Sequence, residues 1–124
     1  MFRGSRETRQ PGNGAERKDR MEKRMIGKSD LESSALALGC WAIGGGEWWG
    51  DNDDKMSVDT ILRGMELGIN WIDTARVYGF GHSEEVVGKA LKAAGRHNLL
   101  VSTKCGIQWY DGGGELHFTK EGHE

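Results

Sequence analysis

An α/β fold with a parallel sheet is predicted by three features of the 124-residue sequence: short apolar runs ending in polar residues, two amphipathic stretches of helical period between them, and glycines at the junctions. The glycines are unusual in number, 20 of 124 against an average of about 7%, yet there is a single proline, Pro11. Low-complexity chains are commonly rich in both, so these glycines are read by position. With 36% hydrophobic residues and no run of about 18 apolar ones, a membrane span is excluded. Seventeen basic against 19 acidic residues, net −2, lacks the basic excess that a nucleic-acid backbone demands.

Residues 1–20 carry six basic and three acidic side chains and only Met1, Phe2 and Ala15 as apolar ones, which predicts a disordered basic extension. It has no apolar stretch of the kind found in secretory signals, and a start site placed too far upstream is the alternative. Residues 21–124 form the predicted domain. Residues 23–27 and 31–35, joined by Lys28-Ser29-Asp30, predict a short hairpin. The run Ala35–Cys40 predicts a first strand covered on both faces. After Gly44-Gly45-Gly46, the stripe Val58, Ile61, Leu62 and Met65 predicts a helix over 58–67 with Ser57 as its N-cap and Gly68 past its end. Residues 69–73 predict a second strand. A second helix is predicted over 84–94, capped by Ser83, stopped by Gly95 and burying Val87, Ala90, Leu91 and Ala94. Residues 99–103 predict a third buried strand, and no helix is predicted beyond Gly106.

Strands joined through helices by short connections pair in parallel by right-handed crossovers. The repeat of about 30 residues would need about 240 for eight units, the size of a (β/α)₈ barrel. The sequence supplies about three, so the expectation is the N-terminal part of such a barrel, with open edges and apolar faces.

Cys40 and Cys105 have no CxxC spacing, which predicts free buried thiols in a reducing cytoplasm. His82, His97, His117 and His123 fit no ligand pattern, and no metal is expected. Gly79-Phe80-Gly81-His82-Ser83-Glu84 lacks the third small residue of a dinucleotide fingerprint. Gly88-Lys89-Ala90 lies within a helix and offers no Mg²⁺ ligand, so it is no phosphate loop. A better candidate stands at the strand ends. Asp73 closes the second strand, Tyr78 lies in the loop after it, and Lys104 closes the third; in a parallel barrel these meet at the C-terminal face. Lys104 beside the phenol would favour its ionised form while Asp73 holds the ammonium, suiting Tyr78 to protonate an oxygen. An ordinary strand-end ion pair beside a loop tyrosine is the alternative.

Leu38-Gly39-Cys40-Trp41, the segment from Gly68 to Ala75, the segment from Tyr78 to Leu91, and Thr103-Lys104-Cys105-Gly106 together resemble the N-terminal part of the aldo-keto reductase family over roughly residues 22–110. The resemblance implies a (β/α)₈ barrel preceded by a hairpin, and reduction of an aldehyde or ketone by NADPH, with NADH possible. It implies Tyr78 as proton donor, Lys104 as its cationic neighbour and Asp73 as partner of Lys104 near the nicotinamide ribose. Gly45 and Trp41 are expected against the cofactor, and Trp48 and Trp49 against a small-molecule carbonyl substrate, one of the two packing the loop instead. The family's fourth catalytic residue, a histidine, has no counterpart, nor have the loops that hold the adenosine phosphate. The 124 residues are therefore expected to be inactive alone. A non-catalytic regulatory module of the same fold, like an ion-channel accessory subunit, is the other reading of the resemblance.

Overall fold

A computed structural model describes residues 21–95, 99–108 and 117–118. The expectations for residues 1–20, His97 and His123 lie outside them. The chain opens with a hairpin, β1 (Lys23–Met25) antiparallel to β2 (Glu32–Ser34), as its sequence predicts. There follow β3 (Leu38–Gly39), α1 (Asp54–Glu66), β4 (Trp71–Asp73), α2 (His82–Ala94) and β5 (Leu100–Ser102). β3, β4 and β5 form one parallel sheet in that order, Leu38 opposite Ile72 and Asp73 opposite both Gly39 and Ser102. Two complete strand–helix units and a third strand are thus present, preceded by the hairpin, the architecture expected of part of a (β/α)₈ barrel. A short antiparallel pair not anticipated from the sequence, β6 (Ile107–Gln108) with β7 (His117–Phe118), comes last.

The core lies between one face of the sheet and the two helices. Ile72 at the centre of β4 is fully buried against Ile61 of α1 and Val86, Val87 and Ala90 of α2, with Cys40 and Ile43 closing the cluster. Side chains alternate along a strand, so Trp71 and Asp73 stand on the opposite face. Asn70 fixes the hairpin to the sheet: its Oδ1 accepts from the Ser34 amide at 2.6 Å and its Nδ2 donates to the Glu32 carbonyl at 3.0 Å.

Several local expectations are corrected. α1 begins earlier than its apolar stripe, and its N-cap is Asp53, whose carboxylate accepts from the Met56 amide at 3.0 Å. Ser57 is inside the helix and buried, donating instead to Asn52 Oδ1 at 3.2 Å. Nor does Ser83 cap α2. The cap position is Gly81 with a left-handed backbone, and Ser83 is fully buried in the second turn position, bonded to other elements. Gly95 ends α2 at φ +76°, as its sequence predicts. The strands are shorter than expected and less covered: Leu36 before β3 is 61% exposed and Val101 in β5 is 45% exposed. Val101 lies beside Ile72 in register, but no described helix covers it. Cys40 is buried, whereas Cys105 is exposed, contrary to expectation.

Candidate active site

Asp73 and Ser102 are register partners at the C-terminal ends of β4 and β5, and Lys104 stands two residues beyond Ser102. That spacing returns the side chain to the face that carries Asp73. Lys104 Nζ donates to Asp73 Oδ2 at 2.8 Å and to the Thr74 carbonyl at 3.0 Å. Ser102 Oγ donates to Asp73 Oδ1 at 2.7 Å while accepting from Trp71 Nε1 at 2.9 Å, so the carboxylate is held from both sides. The hydrogen bond from Lys104, then that from Ser102, keep the Asp73 carboxyl below the ordinary aspartate range. Partial desolvation works to lower the Lys104 pKa, but the bond to Asp73 and the nearness of Tyr78 outweigh it and raise the value above that of a free lysine.

Tyr78 reaches this pair from the loop after β4. Lys104 Nζ is 4.9 Å from the centroid of the Tyr78 ring. Trp41, just after β3, stacks beside the same ring at 6.1 Å between centroids and 27° between planes. The loop is held in place by the closeness of two backbones: a Cβ on Gly44 would sit 2.7 Å from the Gly79 nitrogen, and a Cβ on Gly79 would collide with the Gly44 carbonyl. Gly79 and Phe80 both adopt left-handed backbones, φ +61° and +53°, which only the glycine takes without strain.

Beneath this turn lies a buried polar link that the local sequence pattern, which makes Ser83 a cap, does not reveal. Ser83 Oγ donates to the Cys40 carbonyl at 2.7 Å, leaving the Thr74 hydroxyl, 2.9 Å away, as donor to Ser83. Ser83 thereby ties the loops after β3 and β4 to α2, and Thr74 is the residue whose carbonyl holds Lys104. The period of an apolar stripe carries no sign of such a link; a fully buried serine next to a helix start would. Burial, reinforced by the charge of Asp73 and opposed by that of Lys104, pushes the Cys40 thiol up to about 11.

A cavity of about 310 Å³ opens beside Tyr78, walled by Trp41, Trp48, Tyr78 and Phe80, with Gly45, Glu47 and Ile107 among its other lining residues. Trp41, Gly45 and Trp48, expected from the sequence against cofactor or substrate, all line this cavity. Trp49 does not line the cavity; it packs edge-on against Trp41 at 5.5 Å and 80°, supporting the loop. A larger concavity of about 650 Å³ lies under the hairpin, at the opposite end of the strands, lined by residues such as Lys23, Leu31 and Ile69. It holds none of the grouped catalytic candidates. Among the described residues no cluster of His, Cys, Asp and Glu is arranged for a metal ion, and no helix is long and apolar enough to cross a membrane.

Several known proteins resemble this chain. The NADH-specific methylglyoxal reductase of Escherichia coli (strain K12) is 51% identical over 90 residues, covering 72% of this chain and 28% of that protein. Aldo-keto reductase YhdN of Bacillus subtilis (strain 168) is 47% identical over 90 residues, covering 72% of this chain and 27% of that protein. Among solved structures, the holo form of aldo-keto reductase AKR11C1 from Bacillus halodurans superposes with a TM-score of 0.68 at 35% identity, over 79% of this chain and 30% of that one. The chain spans a little over a quarter of the length of these curated relatives. The Aldo/keto reductase family model matches residues 35–123, most of the chain: the chain belongs to the aldo/keto reductase family.

Proposed function

We propose that Asp73, Tyr78 and Lys104 form the proton-delivery group of an NAD(P)H-dependent reductase of aldehydes or ketones. The observation that carries this reading is the meeting of the three at one mouth: an ammonium held by Asp73 and the Thr74 carbonyl, 4.9 Å from the Tyr78 ring, beside an aromatic cavity. The residues present suit the nicotinamide end of the cofactor. Each Asp73 oxygen accepts one hydrogen bond, and a carboxylate oxygen has room for two, so a ribose hydroxyl can be accommodated. The flat face of Trp41 suits a planar ring, leaving Trp48 to the substrate. A reduced nicotinamide bound there supplies the hydride that goes to the carbonyl carbon.

The chain's own residues do the rest. Tyr78 donates its proton to the carbonyl oxygen as charge builds on it, giving the alcohol. The nearby Lys104 cation stabilises the phenolate that this leaves, and Asp73 with Thr74 keeps the ammonium in place. Solvent at the open mouth then restores the phenol proton. Trp48 borders the substrate, while Trp49 supports it through Trp41. Among the described residues the cavity lining has no lysine or arginine to hold an adenosine phosphate, and the 124-residue chain alone is proposed to be inactive.

A chimera tests the site in a complete barrel. The 90-residue stretch shared with the E. coli methylglyoxal reductase is replaced by this chain's own, and loss of nicotinamide absorbance is followed with methylglyoxal and either NADH or NADPH. Turnover with one of them is expected from the chimera and none from the isolated chain. A folded but inert chimera would overturn the reading of the site, and turnover by the isolated chain would overturn the proposed division of labour.

A further inference from the structure

Glu47 is the one carboxylate lining the aromatic cavity, and it makes no hydrogen bond or ion pair among the described residues. It sits at the tip of a tight turn closed by the Gly50 amide donating to the Gly46 carbonyl at 2.7 Å, which puts Glu47 and Trp48 at the mouth together. Lys104, the cation beside the Tyr78 ring, is paired with Asp73. Glu47 therefore places an exposed carboxylate, without a protein partner among the described residues, at the rim of a space walled by Trp41, Trp48, Tyr78 and Phe80. Aromatic faces carry partial negative charge and attract cations, most strongly when these are weakly hydrated.

We propose that this mouth selects carbonyl compounds that carry an ammonium group, with Glu47 as the specificity-determining residue. The inference rests on the reductase reading and names its substrate class. An ammonium a few bonds from the carbonyl lies between the carboxylate and the ring faces while the carbonyl oxygen faces Tyr78. An anionic carbonyl compound in the same place meets Glu47 and the ring faces as like charges. Because the mouth is open to water, the discrimination is moderate and weakens with salt.

Quenching of tryptophan fluorescence measures it on the full 124-residue chain with two ketones of matched shape. One is trimethylammonioacetone; the other is methyl neopentyl ketone, in which carbon replaces the charged nitrogen. The cationic ketone is expected to bind about tenfold more tightly at low ionic strength, the ratio shrinking as salt is added. Glu47→Gln should bring the ratio down several-fold, and Glu47→Asp should preserve most of it. Glu47 is exposed, so circular dichroism of both variants should match the parent. Equal affinities, a preference untouched by Glu47→Gln, or no saturable quenching by either ketone overturns the proposal. Equal affinities together with Tyr78-dependent turnover by the chimera overturn the cation preference alone. A Glu47-dependent preference together with a chimera indifferent to Tyr78→Phe overturns the reductase reading instead.

Discussion

The two cysteines differ in a way that chemistry can read directly. Cys40 is fully buried with its thiol pushed up to about 11, and Cys105 is exposed. A maleimide at neutral pH should label Cys105 and leave Cys40 unmodified until the chain is unfolded, as mass spectrometry of the peptides would show. Equal labelling in the folded chain would contradict the packing of the β3 end. The Asp73–Lys104 pair makes a second residue-level prediction. Asp73 titrates below its unfolded value, so its contribution is present above about pH 4 and lost as the pH falls through the folded value. Lys104 titrates above its unfolded value, so its contribution is present below about pH 10 and lost as the pH rises through the folded value. Both side chains are partly exposed, 35% and 46%, which limits the pair to under about 1 kcal/mol. Urea midpoints should be flat between about pH 5 and pH 8, above which the Cys40 thiol, held up to about 11 in the folded chain, ionises more readily once unfolded, and Asp73→Asn should reduce the acid fall.

At the scale of elements, caps and close approaches decide what the helices and loops do. Asp53→Ala removes the acceptor of the Met56 amide and should cost about 1 kcal/mol in urea unfolding. Gly79→Ala places a Cβ against the Gly44 carbonyl at a left-handed backbone, so it should displace Tyr78. In the chimera, kcat should fall at least tenfold with a smaller change in KM, because the binding walls from Trp41 and Trp48 remain. Asp73, Tyr78 and Lys104 were legible in the sequence because strand ends in a parallel sheet gather at one edge whatever the side chains do. Ser57 and Ser83 were misread for the opposite reason. A serine before an apolar stripe has the local look of a cap, but Asn52 in one case, and the Cys40 carbonyl with Thr74 in the other, offer tertiary partners that local pattern does not reveal. Apolar runs likewise announced β3 and β5 without announcing what covers them, as exposed Leu36 and Val101 make plain.

Among the described residues, a three-stranded parallel sheet carries helices over one face, with the opening hairpin at one end and the proposed site at the other, and the short β6–β7 pair follows. The face carrying Trp71 and Asp73 is the side that a closed barrel encloses, and enclosure would strengthen the Asp73–Lys104 attraction by excluding water. In the proposed reaction this assembly delivers a proton from Tyr78 to a carbonyl oxygen. Single-turnover hydride transfer in the chimera, at saturating nicotinamide and methylglyoxal, isolates that step from binding and product release. Tyr78→Phe should slow it by about 10²-fold or more, the loss expected of a missing general acid. A rate within a few-fold of the parent would contradict the assignment of Tyr78 as proton donor.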